Sequence, residues 1–226
     1  MAVNYMGDFD IGLLENYDPN GSRLPSPDQY VGKLSVKDHY ATLSQEPRDS
    51  LDYSEDGFSF ISGRTYADRN ICVILESPHR LEYDASKHPI ALVMGKTGCL
   101  FFSMFAELLS ESRMPMKDGT YNVILTNAVQ YQASCGLNPI DRSLRDRNWL
   151  EIYERYGGEM DLKKRIFAVK PRYTINLCTG GKNPNGLRHR VSESLDRFGL
   201  IKGSHYTEGN HPASWDFQSR NVRVIL

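Results

Sequence analysis

The sequence predicts an α/β fold with a doubly wound, mostly parallel central sheet flanked by helices. Three short apolar runs rich in β-branched residues, at residues 71–75, 121–126 and 172–177, are typical of buried strands. Segments with helical spacing separate these runs. Strands that alternate with helices favour a parallel sheet with helices on both faces, because each crossover returns the chain to the same edge.

The helical segments differ in how much of their surface is apolar. Residues 99–112 are apolar around most of the circumference, which predicts a well-buried helix of roughly four turns. Residues 187–198 carry apolar side chains on one side only. Residues 141–168 are polar and rich in charges, most of which we interpret as a solvated helix face.

A short glycine-containing stretch, Gly95-Lys96-Thr97-Gly98, precedes the first helix. It does not match a phosphate-binding loop, because Ile90 stands at the first glycine position and no strand immediately precedes it. We expect these glycines to allow a close approach of backbone to backbone, or to a ligand, at the start of the helix.

The chain divides by composition into two parts. Residues 1–65 are rich in Asp, Pro, Ser, Gly and Tyr and are predicted to form an N-terminal extension that packs on the core or covers it as a lid. Within it, residues 29–36 and 58–61 have the amphipathic character of strands or small helices. Residues 66–226 form the predicted α/β domain, and residues 222–226 are a candidate edge strand.

Composition gives weak bounds on the partners of the protein. The net charge is −1, which neither demands nor excludes a nucleic acid, and about 40% of the residues are apolar. The four cysteines are scattered, without the spacing of a zinc site or an iron–sulfur cluster, so we expect reduced thiols, no metal and no cofactor. The N-terminus does not resemble a signal peptide, and no apolar run approaches the roughly 20 residues that cross a bilayer. A cytoplasmic monomer with no membrane contact is the expectation.

Polar residues follow the predicted strands at the places where strands end. Glu76, Ser77, Pro78 and His79 come directly after the first strand, and Asn127 follows the second. Because the carboxyl ends of parallel strands share one edge of the sheet, these residues and the later loop around His211 are expected to meet at one rim.

Four motifs in this order resemble the uracil-DNA glycosylase superfamily: LESPH at residues 75–79, VMGKTGCLF at 93–101, LTNAV at 125–129 with Asn127, and HPAS at 211–214. The resemblance covers about residues 70–216. It implies a glycosylase-like domain that hydrolyses the N-glycosidic bond of a base flipped out of DNA, either from a duplex or on a single strand.

The chemistry of such a reaction requires these residue types, whether or not the family resemblance is considered. Cleavage builds positive charge on the sugar and negative charge on the departing base. We therefore expect Glu76 to stabilise the cation and hold the attacking water, His211 to stabilise the leaving base, and Asn127 to read the pyrimidine edge. The alternatives are a salt-bridged loop carboxylate for Glu76, a turn cap for His211 and a turn former for Asn127.

The resemblance also implies contacts to the substrate and to the DNA backbone. The substrate-binding candidates are Ser77, Pro78, His79, Arg80, Val93 and Gly95, and the DNA-binding candidates are Lys96, Ser214 and Trp215. Trp215 or Phe217 would serve as an aromatic wedge in the duplex, with burial under the last strand as an equal alternative.

The chain departs from the family pattern in ways that affect the substrate. Ser77 stands where many members carry the water-activating Asp, residues 91–94 are aliphatic where an aromatic often stacks on the base, and His79 replaces a tyrosine beside carbon 5. The widened pocket favours a bulky modified cytosine, such as the glucosylated hydroxymethylcytosine of phage DNA, with an antiphage role. The alternatives are a uracil-DNA glycosylase of base-excision repair, a non-catalytic DNA-binding module, and a hydrolase or transferase of free nucleosides or nucleotides.

Overall fold

One mixed sheet of seven strands forms the centre of the molecule. The computed structural model describes residues 24–54, 57–63, 69–112, 114–133, 142–180, 186–203 and 205–215. The strands are β1 (Gln29–Lys37), β2 (Tyr40–Ser54), β3 (Gly57–Phe60), β4 (Asn70–Leu75), β5 (Gly119–Asn127), β6 (Tyr173–Asn176) and β7 (His205–Glu208). The helices are α1 (Gly95–Glu111), α2 (Arg142–Leu150), α3 (Gly158–Val169), α4 (Leu187–Arg197) and the short α5 (Leu200–Gly203), with a π-helical turn at Glu151–Arg155 between α2 and α3.

The sheet has a parallel half and an antiparallel half. Its strand order is β3-β2-β1-β5-β4-β6-β7, with β5, β4, β6 and β7 mutually parallel. β1 runs antiparallel to β5 and continues into β2 and β3, which are also antiparallel. Asp38 and His39 join β1 to β2 with φ of 50° and 68°, as a two-residue hairpin turn of type I′ requires.

The fold class is confirmed at the level of an α/β protein whose sheet is parallel in the centre. The three predicted strands are present as β4, β5 and β6, and the predicted helices as α1 and α4. Residues 29–60, which the sequence assigned to an extension packing on the core, instead supply three strands of the sheet itself. β7 was not predicted as a strand, and residues 1–23, Phe217 and residues 222–226 lie outside the described part of the chain.

Helices cover both faces of the sheet because β4 alternates its side chains between two apolar clusters. Ile71, Val73 and Leu75 pack on the face covered by α1, while Cys72 and Ile74 pack on the opposite face. Residues of α2, α3 and α4 belong to this second cluster, including Trp149, Ile166 and Val191. Both faces of the central strand are dry, which explains why its sequence is an unbroken apolar run.

Two further findings concern membrane-spanning helices and the cysteines. Among the helices of the described ranges, none has the length and apolar character needed to cross a bilayer. Of the cysteines whose structure is described, Cys72 and Cys178 are buried and Cys99 is exposed, and all three are free thiols.

A buried ion pair ties the first described residues to the sheet and to α3. The guanidinium of Arg165 in α3 lies 2.9 Å from a carboxylate oxygen of Asp28, just before β1. Both side chains are almost fully buried. The hydroxyl of Thr126 donates to the same Asp28 carboxylate at 2.6 Å, and Arg165 donates to the carbonyl of Asn127 at 3.0 Å. The end of β5 is therefore held by charge and hydrogen bonds as well as by the sheet ladder.

Replacing Arg165 by Met should lower the free energy of unfolding by about 3–5 kcal/mol, because it leaves the buried Asp28 carboxylate without its cation. Urea unfolding would measure the change. The matched control is Arg155→Met, which removes an exposed ion pair with Glu151 and should cost less than about 0.5 kcal/mol. Equal losses in the two variants would contradict the structural role of the buried pair.

Candidate active site

The ends of β4 and β5 place Glu76 beside Asn127. Leu75 and Asn127 are partners in the parallel ladder, so the residues that follow leave the sheet at the same level. The amide of Ala128 donates to the Leu75 carbonyl at 2.7 Å, and the amide of Val129 donates to the Glu76 carbonyl at 3.2 Å. These bonds extend the pairing past the strands and fix the two loops against each other.

Two side chains of helix α2 bind Glu76, one by an ion pair and one by a hydrogen bond. Arg145 and Trp149 are four residues apart and so lie on the same helix face. The Arg145 Nε lies 3.2 Å from the Glu76 Oε1, and the indole N–H of Trp149 donates to the Glu76 carbonyl at 2.8 Å. Side chain and backbone of Glu76 are therefore both fixed by one helix.

Glu76 is a buried carboxyl group whose acidity is shifted. Burial raises the pKa of Glu76 from its usual value of 4.5 to about 7, while the charge of Arg145 and the backbone N–H of Thr179 moderate that rise. Its second oxygen, Oε2, is buried and has no hydrogen-bond partner within the described ranges. One oxygen is thus paired with Arg145, and the other is a buried acceptor without a hydrogen-bond partner among the described residues.

The loop that carries His211 is fastened on both sides. Arg188, near the start of α4, donates to the carbonyl of Gly180 at 3.0 Å and to the carbonyl of Gly209 at 2.5 Å. Beyond the histidine, the indole N–H of Trp215 donates to the carbonyl of Asn210 at 2.8 Å. Arg188 and Trp215 therefore determine where His211 lies.

His211 is a partly buried, neutral imidazole. Its Nδ1 accepts the backbone N–H of Ala213 at 3.2 Å, so in the neutral ring the proton is on Nε2. Burial, together with the smaller effects of the charges of Arg145 and His79, lowers the pKa of His211 from 6.5 to about 4. At neutral pH the ring is a hydrogen-bond donor through Nε2, without a charge.

Arg145 connects the two titrating groups. Its positive charge lowers the pKa of Glu76 and the pKa of His211. These two residues belong to the first and the last of the four sequence motifs. Asn127 ends β5 at the level of Leu75, and its buried Nδ2 has no hydrogen-bond partner in the part of the chain that is described. The strand ends therefore place Glu76 and Asn127 at the same end of the sheet, and Arg145 relates Glu76 to His211.

The buried carboxyl group of Glu82 holds the loop that follows Glu76 through a hydrogen bond to the backbone. The Oε1 of Glu82 accepts the backbone N–H of Val93 at 2.9 Å, and burial raises the pKa of Glu82 to about 8. His79 lies inside this loop, half-buried, with its Nδ1 accepting the backbone N–H of Leu81 at 3.3 Å. It is close enough for its charge to affect His211.

Two of the predicted contact residues are core residues, and these assignments are corrected. Val93 is 1% exposed and belongs to the apolar cluster under α1, so its side chain does not reach the rim. Trp215 is 6% exposed and stacks on Phe101 with ring centroids 6.3 Å apart, which is the buried alternative that the sequence left open. An indole in this position is not a wedge for a duplex.

The remaining predicted contacts differ in exposure. Pro78 is buried and Ser77 is half-buried. Ser214 is exposed, and its hydroxyl donates to the carbonyl of His211 at 2.7 Å. Arg80, Gly95 and Lys96 are exposed near the start of α1 or in the loop before it.

The start of α1 explains the glycine stretch. A Cβ on Gly98 would lie 1.7 Å from the carbonyl oxygen of Val93, so only glycine fits at this position. The expected close approach of backbone to backbone is therefore confirmed for Gly98.

Sequence reasoning missed Arg145 and Arg188. Arg145 lies in the charged stretch 141–168, whose composition indicates mainly a solvated face, and the sequence assigns no role to Arg188. Likewise, Arg165 is buried rather than on the surface. The spacing of Arg145 and Trp149 is the signal that was available, because a tryptophan one turn from an arginine marks a face that is not fully solvated.

The described ranges contain no group of three or more His, Cys, Asp or Glu side chains able to hold a metal ion. No protein-family model, curated protein or solved structure matches this chain.

Replacing Glu76 by Gln should stabilise the protein at neutral and alkaline pH. The folded state holds a proton on Glu76 up to about pH 7, whereas the unfolded chain releases it near 4.5, so stability falls as pH rises through this window. The amide removes that loss, and we expect a gain of about 1–3 kcal/mol at pH 8.

Urea unfolding at pH 8 and at pH 4 would measure this gain, which should vanish at the lower pH. Glu107→Gln, at an exposed position of α1, is the matched control and should show no gain. A Glu76→Gln protein that is less stable at pH 8 would mean that the ion pair with Arg145 outweighs the burial of the carboxylate.

Proposed function

We propose that this protein is a monofunctional DNA glycosylase that hydrolyses the N-glycosidic bond of a flipped pyrimidine and leaves an abasic site. The observation that carries the proposal is the shared cation. Arg145 contacts the Glu76 carboxylate, and its charge also acts on the neutral ring of His211. Asn127, whose side-chain nitrogen has no hydrogen-bond partner among the described residues, ends the neighbouring strand β5. A carboxylate, a neutral imidazole donor and an amide are the three groups that the reaction requires.

In the proposed reaction, water attacks the anomeric carbon as the bond from carbon to the base nitrogen breaks. The ionised Glu76 stabilises the positive charge on the sugar and takes the proton of the attacking water. The bonding electrons leave with the base, whose oxygen accepts a hydrogen bond from the Nε2–H of His211. The base leaves as an anion and takes up a proton from solvent, and Glu76 releases the proton that it accepted. The products are the free base and an abasic sugar.

Ser77 bears on how the water is activated. The family pattern places an Asp there, and a serine hydroxyl has too high a pKa to act as a base at neutral pH. Glu76, with a pKa near 7, is in the range that suits a general base. The proposal therefore gives Glu76 both the electrostatic and the proton-accepting role.

For the substrate we propose a bulky 5-substituted cytosine, such as glucosylated hydroxymethylcytosine in phage DNA, and hence a role in antiphage defence. Support comes from His79, which lies near His211 and has its Nδ1 engaged by Leu81, leaving Nε2 as a donor. A second neutral donor beside the base can pair with a hydroxyl of a sugar linked at carbon 5, whereas unmodified cytosine and uracil carry only a hydrogen there.

The test is an abasic-site assay on DNAs that carry uracil, unmodified bases, hydroxymethylcytosine or glucosylated hydroxymethylcytosine, with a free modified nucleoside as a further arm. We expect abasic sites on the glucosylated DNA. Glu76→Gln and His211→Ala should each reduce the rate by at least about a hundredfold. Glu107→Gln and His189→Ala, exposed residues of α1 and α4, are matched controls and should retain the rate.

The other outcomes separate the alternatives. Cleavage of uracil DNA alone would assign a repair glycosylase, and cleavage of the free nucleoside alone would assign a nucleoside hydrolase. Binding of DNA without turnover, unchanged in both site variants, would leave a binding module and remove the catalytic proposal.

The pH dependence of kcat/KM should show a rising limb near pH 7 as Glu76 ionises. Since Arg145 lowers the pKa of Glu76, Arg145→Gln should move this limb to higher pH, in addition to lowering the plateau. Arg155→Gln, whose ion pair is with Glu151, is the control and should leave the limb in place. A limb that does not move in Arg145→Gln would show that another group titrates.

A further inference from the structure

A recess lies at the end of the sheet where β4, β5 and β6 begin. It has a volume of about 480 Å³, within the range of small-molecule sites. Glu76 and Asn127 follow the other ends of these strands, five ladder positions away, which corresponds to about 16 Å. The recess is therefore separate from the candidate active site.

Four cationic side chains line this recess and no acidic one does. They come from four places in the chain: the residue before β4, the turn before β5, and two positions between α3 and β6. All four are exposed, and none forms an ion pair with a carboxylate of the described residues. The four residues are Arg69, Lys117, Lys170 and Arg172.

Two of these cations have defined positions. The Arg69 guanidinium lies over the ring of Tyr121, 5.9 Å from its centroid, and donates to the carbonyl of Asp118 at 3.2 Å. Lys170 directly follows the last residue of α3, where a cation also offsets the negative end of the helix dipole. The carboxylate of Asp118 is engaged elsewhere, since it accepts the backbone N–H of Asp38 at 3.2 Å.

The recess offers charge but no surface for an aromatic base. Tyr121 is 1% exposed and is covered by Arg69, and its hydroxyl donates to the Lys117 carbonyl. The floor is made of the polar starts of strands, including the buried Asn70, whose amide is engaged by the Val169 carbonyl. Such a recess therefore recognises only the anionic groups of a ligand.

We propose that this recess binds a compact polyphosphate anion, either inorganic or the phosphate end of a nucleotide whose base stays outside. Arginine and lysine are the residues that bind phosphate oxygens, and several cations in one concave space favour closely spaced phosphates over a single one. A bounded recess at a sheet edge also suits a small anion better than a duplex, whose phosphates need an extended track.

The test is isothermal titration calorimetry of the full chain with inorganic tripolyphosphate, with a nucleoside triphosphate and with a short DNA duplex. We expect one tripolyphosphate per chain, and similar affinity for the nucleoside triphosphate. Lys117→Gln and Arg172→Gln should each weaken binding about tenfold, and the double variant more. Lys164→Gln, an exposed cation of α3 away from the recess, removes the same charge and should leave the affinity unchanged.

Several results would overturn the proposal. They are absence of tripolyphosphate binding, binding that the double variant retains, or binding of the nucleoside triphosphate only. Binding of the duplex alone, lost in the double variant, would assign the recess to the nucleic-acid backbone instead. The abasic-site assay on the double variant keeps the two proposals distinguishable, since its activity does not depend on this recess.

Discussion

The buried ion pair between Asp28 and Arg165 is the interaction on which the arrangement of the site depends. Removing a carboxylate and a guanidinium from water is costly unless each satisfies the other, and here Thr126 and the Asn127 carbonyl complete the hydrogen bonding. The pair joins the segment before β1, the end of β5 and α3 in one contact. Because Asn127 is the last residue of β5, the same contact fixes where its side chain leaves the sheet.

The antiparallel half of the sheet positions Asp28 for this ion pair. β1 lies against β5 along most of its length, so Asp28 reaches the end of β5 as the chain enters the sheet. On the other side, β4 and β6 complete the parallel half, and the loops after β4 and β7 carry Glu76 and His211. The rim is thus built from parallel strand ends, while its rigidity comes in part from strands of opposite direction.

The sequence predicted the parts whose signals are local. The apolar runs of β4 and β5 and the residues behind them were identified because burial on both faces leaves an unbroken pattern. The place of β1 was not, since its pairing with β5 joins residues almost a hundred positions apart, such as Gln29 and Leu125. Arg145 was misjudged, and the two alternatives for Trp215 stayed open, for a related reason: a charged helix and an aromatic after a loop have the same local sequence whether solvated or packed.

Arg145 has one electrostatic effect on two groups with opposite consequences. A nearby positive charge lowers the pKa of an acid and of a base alike. In Glu76 the lower pKa favours the ionised form against burial, whereas in His211 it favours the neutral form together with burial. A single cation therefore moves both groups toward the states that the proposed reaction uses at neutral pH, an ionised carboxylate and an uncharged donor. Arg145 thus contacts the residue that follows a central strand, although its helix has the charged sequence of a solvated surface.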